Sequence, residues 1–95
     1  MKHCILVKFG PDVDMRAHWS DIQSIFEKTK AIEGVREIRL VPGVNREEYK
    51  NRYDLMIEMT MDRASLPAYD ASDAHHEWKA KYGPMIASKC IFDYE

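Results

Sequence analysis

Tyr53-Asp54-Leu55-Met56-Ile57-Glu58-Met59-Thr60-Met61 places an apolar residue at every odd position, while the even positions alternate in character. A period of two marks a strand buried on one face, because successive side chains leave a pleated backbone on opposite sides. A charged stretch from Asn45 to Arg52 precedes it, and before that Val35 to Val41 (VREIRLV) runs up to Pro42-Gly43. This is a second strand, joined to the first by a hairpin. Further upstream Met15, Trp19, Ile22, Ile25, Phe26 and Ile32 fall at helical spacings between Asp14 and Ile32, with His18, Asp21, Glu27, Lys28 and Lys30 between them. The spacing predicts an amphipathic helix over 14–32, with Gly34 as a left-handed C′ residue behind it. Residues 2–9 (KHCILVKF) are short and apolar, and Gly10-Pro11-Asp12 stops them. They read as the opening strand. Downstream, Ser65 is expected to cap a short helix through Tyr69, and Asp73 to cap another through Lys81. Gly83-Pro84 closes the helical region, and Lys89-Cys90-Ile91-Phe92 supplies a last strand within 85–94.

The order is therefore βαββαβ. Two such units joined by a hairpin fold as an α+β, ferredoxin-like domain, with a four-stranded antiparallel sheet and both helices on one face. With His3, Ile5, Val7 and Phe9 on one side of the first strand, Cys4 and Leu6 face the other, so both faces of the sheet carry apolar residues. A chain with helices for only one side is expected to cover the other with a second copy, around Leu6, Met56 and Ile91 or their alternates. At 95 residues the chain holds one domain, 1–95.

Composition excludes several classes of function. Hydrophobic residues make up 45% of the chain, charged residues 32%, and Gly and Pro number only four each, which is a folded domain and not a disordered or collagenous one. The formal net charge is −2 with the signs interleaved, as in Arg46-Glu47-Glu48-Tyr49-Lys50, so no basic face is offered to nucleic acid or membrane. The longest strictly apolar run, Cys4 to Val7, is too short for a span or a signal peptide, and a cytoplasmic location is expected. Cys4 and Cys90 lie far apart without a CxxC pairing and are expected to be free, buried thiols.

Six segments carry a family resemblance: His3 to Phe9, Ile32-Glu33-Gly34-Val35, Tyr53-Asp54-Leu55, Leu66-Pro67-Ala68-Tyr69, Ala74-His75, and Phe92-Asp93-Tyr94-Glu95. In this order, across essentially the whole chain, they resemble the stress-responsive dimeric α/β-barrel (Dabb) family. The resemblance implies a ferredoxin-like homodimer whose two sheets close into a barrel. Most members are known only as stress-associated or uncharacterised proteins, and a few, olivetolic acid cyclase the clearest, are cofactor-independent polyketide cyclases. The cyclase pattern of a tyrosine followed six residues later by a histidine is met by Tyr69 and His75, and its histidine near the start of the first strand by His3. Two positions depart from it. Leu55 stands where the cyclase has a further histidine, and Ser72-Asp73-Ala74-His75 replaces a His-Pro-Ala-His segment.

The chemistry of these residue types is coherent. An imidazole, ordinarily titrating near pH ~6.5, takes a proton from a carbon next to a carbonyl, and a phenol stabilises the enolate oxygen that results. His75 and Tyr69 are thus the candidate catalytic pair. His3, Ile5, Val7, Trp19, Phe26 and Leu55 are the candidate walls of a pocket for a small apolar carbonyl ligand. No metal or other cofactor is implied: His75 and His76 project about 100° apart on a helix, and their i+4 partners are Lys79 and Ala80. Two functions from different classes fit these residues. One is cofactor-independent enolate or cyclase-type catalysis, and the other is a non-catalytic, stress-associated dimer in which Tyr69 and His75 pack and hydrogen-bond locally.

Overall fold

The computed structural model describes residues 1–44 and 48–95, so positions 45–47 of the charged stretch before the third strand lie outside the described residues. Four strands, β1 (Lys2–Phe9), β2 (Val35–Pro42), β3 (Leu55–Met61) and β4 (Ile86–Tyr94), form one sheet in the order β2-β3-β1-β4. Every neighbouring pair is antiparallel. Three α-helices, α1 (Met15–Glu27), α2 (Leu66–Asp70) and α3 (Asp73–Tyr82), complete the ferredoxin-like βαββαβ plan.

The period of two at 53–61 becomes the floor of the core. Leu55, Ile57, Met59 and Met61 are all buried, and so are His3, Ile5, Val7 and Phe9 beside them on β1. The helices close this face with Met15, Ile22, Ile25 and Phe26 of α1 and with Ala74, Trp78 and Tyr82 of α3, an i, i+4, i+8 stripe. Phe26 meets Trp78 edge-on at a ring separation of 5.1 Å. Where the helices reach solvent, Asp21 accepts a hydrogen bond from the Tyr82 hydroxyl at 2.5 Å and pairs with Lys81 at 2.7 Å.

Side-chain hydrogen bonds explain why several boundaries differ from expectation. The first helix stops at Glu27, not Ile32, and continues as a 3₁₀ turn, Lys28–Ala31. Thr29 donates its hydroxyl to the Phe26 carbonyl at 2.5 Å, a local bond that competes with the helical ladder. Ser65 does not cap α2, because its hydroxyl reaches across the chain to the Glu33 carbonyl at 2.7 Å. Ser72, not Asp73, caps α3: its Oγ accepts from the His75 amide at 3.1 Å and donates to the Tyr69 carbonyl at 2.7 Å. The third strand starts at Leu55, since the Asp54 carboxylate is taken up by the Phe9 amide at 2.8 Å.

Gly34 has the positive φ expected of it, +89°, but it closes a turn in which Val35 donates to Ile32, well past the end of α1. A Cβ at Gly34 would lie 2.1 Å from Ser65 Oγ and 2.9 Å from an Asp62 carboxylate oxygen. Gly34→Ala is therefore expected to cost about 2–4 kcal/mol, combining left-handed strain with loss of the Ser65–Glu33 bond. Urea unfolding with an unchanged m-value is the measurement, and a midpoint equal to wild type would refute the strain.

The outer face of the sheet is mixed, where the sequence suggested an apolar surface. Leu6, Val41, Met56, Cys90, Phe92 and Tyr94 share it with Lys2, Arg39, Glu58 and Thr60. Glu58 sits at its centre, 3.9 Å from the Lys2 ammonium and 3.5 Å from the Arg39 guanidinium, and accepts from the Tyr94 hydroxyl at 3.3 Å. Ile91 is not on this face: it pairs with Ile5 and so points to the helix side. Both cysteines are free, and Cys4 is buried; Cys90, expected to be buried, is exposed in the single chain.

Candidate functional site

β4 is an edge strand, and its helix-side residues Lys89, Ile91 and Asp93 stand opposite Val7, Ile5 and His3 of β1. The helices do not seal this margin. A cleft of about 220 Å³ lies there, walled by β1 and β4 below and by α2 and α3 above. Its apolar lining is Ile5, Leu66, Trp78 and Ile91, and its polar lining is His3, Tyr69, Asp70, His75, Lys89 and Asp93.

The short break between α2 and α3 sets the geometry of the polar residues. Because Ser72 Oγ holds both the Tyr69 carbonyl and the His75 amide, the last turn of one helix and the first of the next are fixed together. Tyr69 and His75 come to a ring separation of 4.8 Å, and the His3 ring approaches Tyr69 from the sheet side at 5.6 Å. The phenol thus stands between two imidazoles.

Each imidazole is oriented by its Nδ1. His75 Nδ1 lies 2.9 Å from the Asp70 carbonyl oxygen, which only accepts, so this nitrogen carries the hydrogen and Nε2 is the ring nitrogen left to accept when the imidazole is neutral. His3 Nδ1 lies 2.5 Å from Asp93 Oδ1, a buried ring held by a carboxylate of the edge strand. A histidine oriented by a carboxylate or carbonyl is the usual arrangement of a proton-transfer site.

Tyr69 is 1% exposed, and its hydroxyl has no hydrogen-bond partner among the described residues. Burial, with a smaller contribution from the Asp70 carboxylate, pushes its ionisation far above the ordinary phenol range. The group is therefore an O–H donor and not a phenolate. An unmatched buried hydroxyl costs ~1–3 kcal/mol, so its retention in a cleft wall calls for an explanation.

Of the sequence-derived site residues, the structure brings His3, Ile5, Tyr69 and His75 to this cleft. It does not bring the others. Val7 and Leu55 pair across β1 and β3 and are sealed in the core, as is Phe26 under Trp78. Trp19 lies with Met15, Arg16, Pro42, Gly43 and Val44 in a separate hollow. Asp93, Lys89, Asp70, Ile91 and Leu66 were not identified as wall residues. Only strand register could have found the first two, because they face the site through pairing of β4 with β1.

Comparison with known proteins agrees with this architecture. The family model described as Stress responsive A/B Barrel Domain matches residues 1–95. No curated protein matches the sequence. Among solved structures, the chain is similar to At3g17210 from Arabidopsis thaliana, with a TM-score of 0.79 at 21% identity over 99% of this chain and 92% of the other. It is also similar to a dimeric ferredoxin-like protein of unknown function from Thermobifida fusca, with a TM-score of 0.76 at 16% identity over 98% and 87%. A third similar structure is the hydroxynitrile lyase from Passiflora edulis, with a TM-score of 0.72 at 13% identity over 98% and 89%. At these identities the likeness establishes the fold.

Proposed function

The chain belongs to the stress-responsive A/B barrel domain family, and from that premise we propose that it is a cofactor-independent enzyme of enolate chemistry, acting on a small carbonyl compound in the β4 cleft. The unpartnered Tyr69 hydroxyl, buried between two imidazoles, carries this reading. A carbonyl oxygen would satisfy that hydroxyl. His75 Nε2 takes a proton from the carbon next to the carbonyl, the C–H electron pair becomes the new C=C bond, and the carbonyl π pair moves onto oxygen. Tyr69 donates to that oxygen as its charge grows, while remaining protonated. The imidazolium formed at His75 then returns the proton to carbon or passes it to a leaving group, as a cyclase or lyase requires. The similarity to a hydroxynitrile lyase puts lyase chemistry within the reach of this fold.

The cleft is smaller than the roughly 300–1,000 Å³ of pockets that take drug-sized ligands, which favours a short carbonyl compound over a long polyketide. Deuterium incorporation next to the carbonyl of such compounds in heavy water, followed by NMR, tests the proposal directly. Exchange no faster than in buffer, together with no shift in Tm, would leave the passive dimer as the better account.

The outer sheet face bears on assembly. Phe92 is 63% exposed and Tyr94 44% exposed, beside the exposed Cys90. A second copy packed sheet to sheet would bury them, and the similar Thermobifida fusca protein is dimeric. Light scattering at micromolar concentration is expected to give twice the chain mass for wild type and the single mass for Phe92→Asp. A monomeric wild type contradicts this.

A further inference from the structure

Lys89 is the one side chain of the cleft lining with a permanent positive charge, and among the described residues it makes no ion pair or hydrogen bond. It is an exposed residue of an edge strand. It lies on the helix-facing side of β4, opposite Val7, where every residue of β1 is apolar or a bonded histidine. The negative charges are at the other end. Asp93 is bound to His3, and Asp70 lies close enough to Tyr69 to oppose ionisation of its phenol. Four residues of extended strand put the Cα atoms of Lys89 and Asp93 about 13 Å apart, and a lysine side chain spans much of that distance. The cleft therefore has one end with the Tyr69 hydroxyl and two carboxylates, and a cationic end with none.

We infer that the cleft takes a short oxo acid, with its carbonyl oxygen on the Tyr69 hydroxyl and its carboxylate on the Lys89 ammonium. This rests on the function proposed above and adds the substrate class. Asp70 and Asp93 repel a carboxylate from the Tyr69 end, and Lys89 attracts it to the other, so charge fixes the direction in which the molecule lies. The carbon chain crosses Ile5 and Ile91 between them. Lys89 acts as a specificity residue and takes no part in the proton transfer.

The test compares 4-oxopentanoate and 3-oxobutanoate with their methyl esters, in the full-length wild type, Lys89→Met and Lys89→Arg. Affinity is read by calorimetry and proton exchange by NMR in heavy water. Wild type is expected to favour each acid over its ester. Lys89→Met should raise KM and Kd for the acids about 10- to 100-fold, the effect of losing one charge-assisted hydrogen bond, with a smaller change in kcat. Lys89→Arg, which keeps the charge, should restore most of the affinity. Equal binding of acid and ester by wild type, or an unaltered preference in Lys89→Met, overturns the inference and leaves the carbonyl chemistry standing. If neither acid nor ester binds or exchanges, the proposed function falls and this inference falls with it.

Discussion

His75→Ala is expected to lower kcat for proton exchange next to a carbonyl by roughly 10²–10⁴, the usual contribution of a positioned general base. Its Nδ1 bond to Asp70 leaves Nε2 as the acceptor, so the variant loses the base without losing a core side chain. Tyr69→Phe gives the sharper diagnosis. Removing an electrophilic donor should cost roughly 10²–10³ in kcat. The same change deletes a buried hydroxyl that has no partner in the described structure, and so should raise stability by about 1 kcal/mol. A gain in stability with a loss of turnover marks a group kept for chemistry. A passive packing role for Tyr69 predicts unaltered activity in Tyr69→Phe, and urea melts beside NMR exchange rates separate the two.

The alternation at 55–61 and the helical spacings in α1 specify which face each residue takes, and that was enough to read the sheet and its covering helices. Face is a local property, and the backbone transmits it residue by residue. Position across the sheet is not local. Met59 and His3 pair on one face, yet one is sealed beneath the helices and the other reaches the open margin along β4. The same distinction separates Ile5 from Leu55. It depends on β4 pairing with β1, a contact between opposite ends of the chain in which Asp93 meets His3. Nothing near Asp93 or Lys89 in the sequence announces that register. Capping was ambiguous for a different reason: in Ser72-Asp73 either side chain is a competent cap, and the choice of Ser72 follows from its second bond, to the Tyr69 carbonyl.

Phe26 turns that distinction into a measurement. It was a natural candidate for a pocket wall, being aromatic and on the buried stripe of α1, but it is 1% exposed and stands behind Trp78 rather than beside the cleft. Phe26→Ala should therefore act on the fold, at a cost of about 3–5 kcal/mol from lost burial and the cavity left behind. Part of the loss is the edge-to-face contact with Trp78, typically about 0.5–1.5 kcal/mol beyond burial alone. For a domain of this length, where total stability is on the order of 0.05–0.15 kcal/mol per residue, such a loss is a large fraction of the whole. Phe26→Leu fills most of the volume and keeps the protein folded for assay. In Phe26→Leu the Tm should fall while KM for a cleft ligand stays within about twofold, since no ligand atom reaches a sealed position; a change in KM with little change in Tm would instead place Phe26 in the ligand's path.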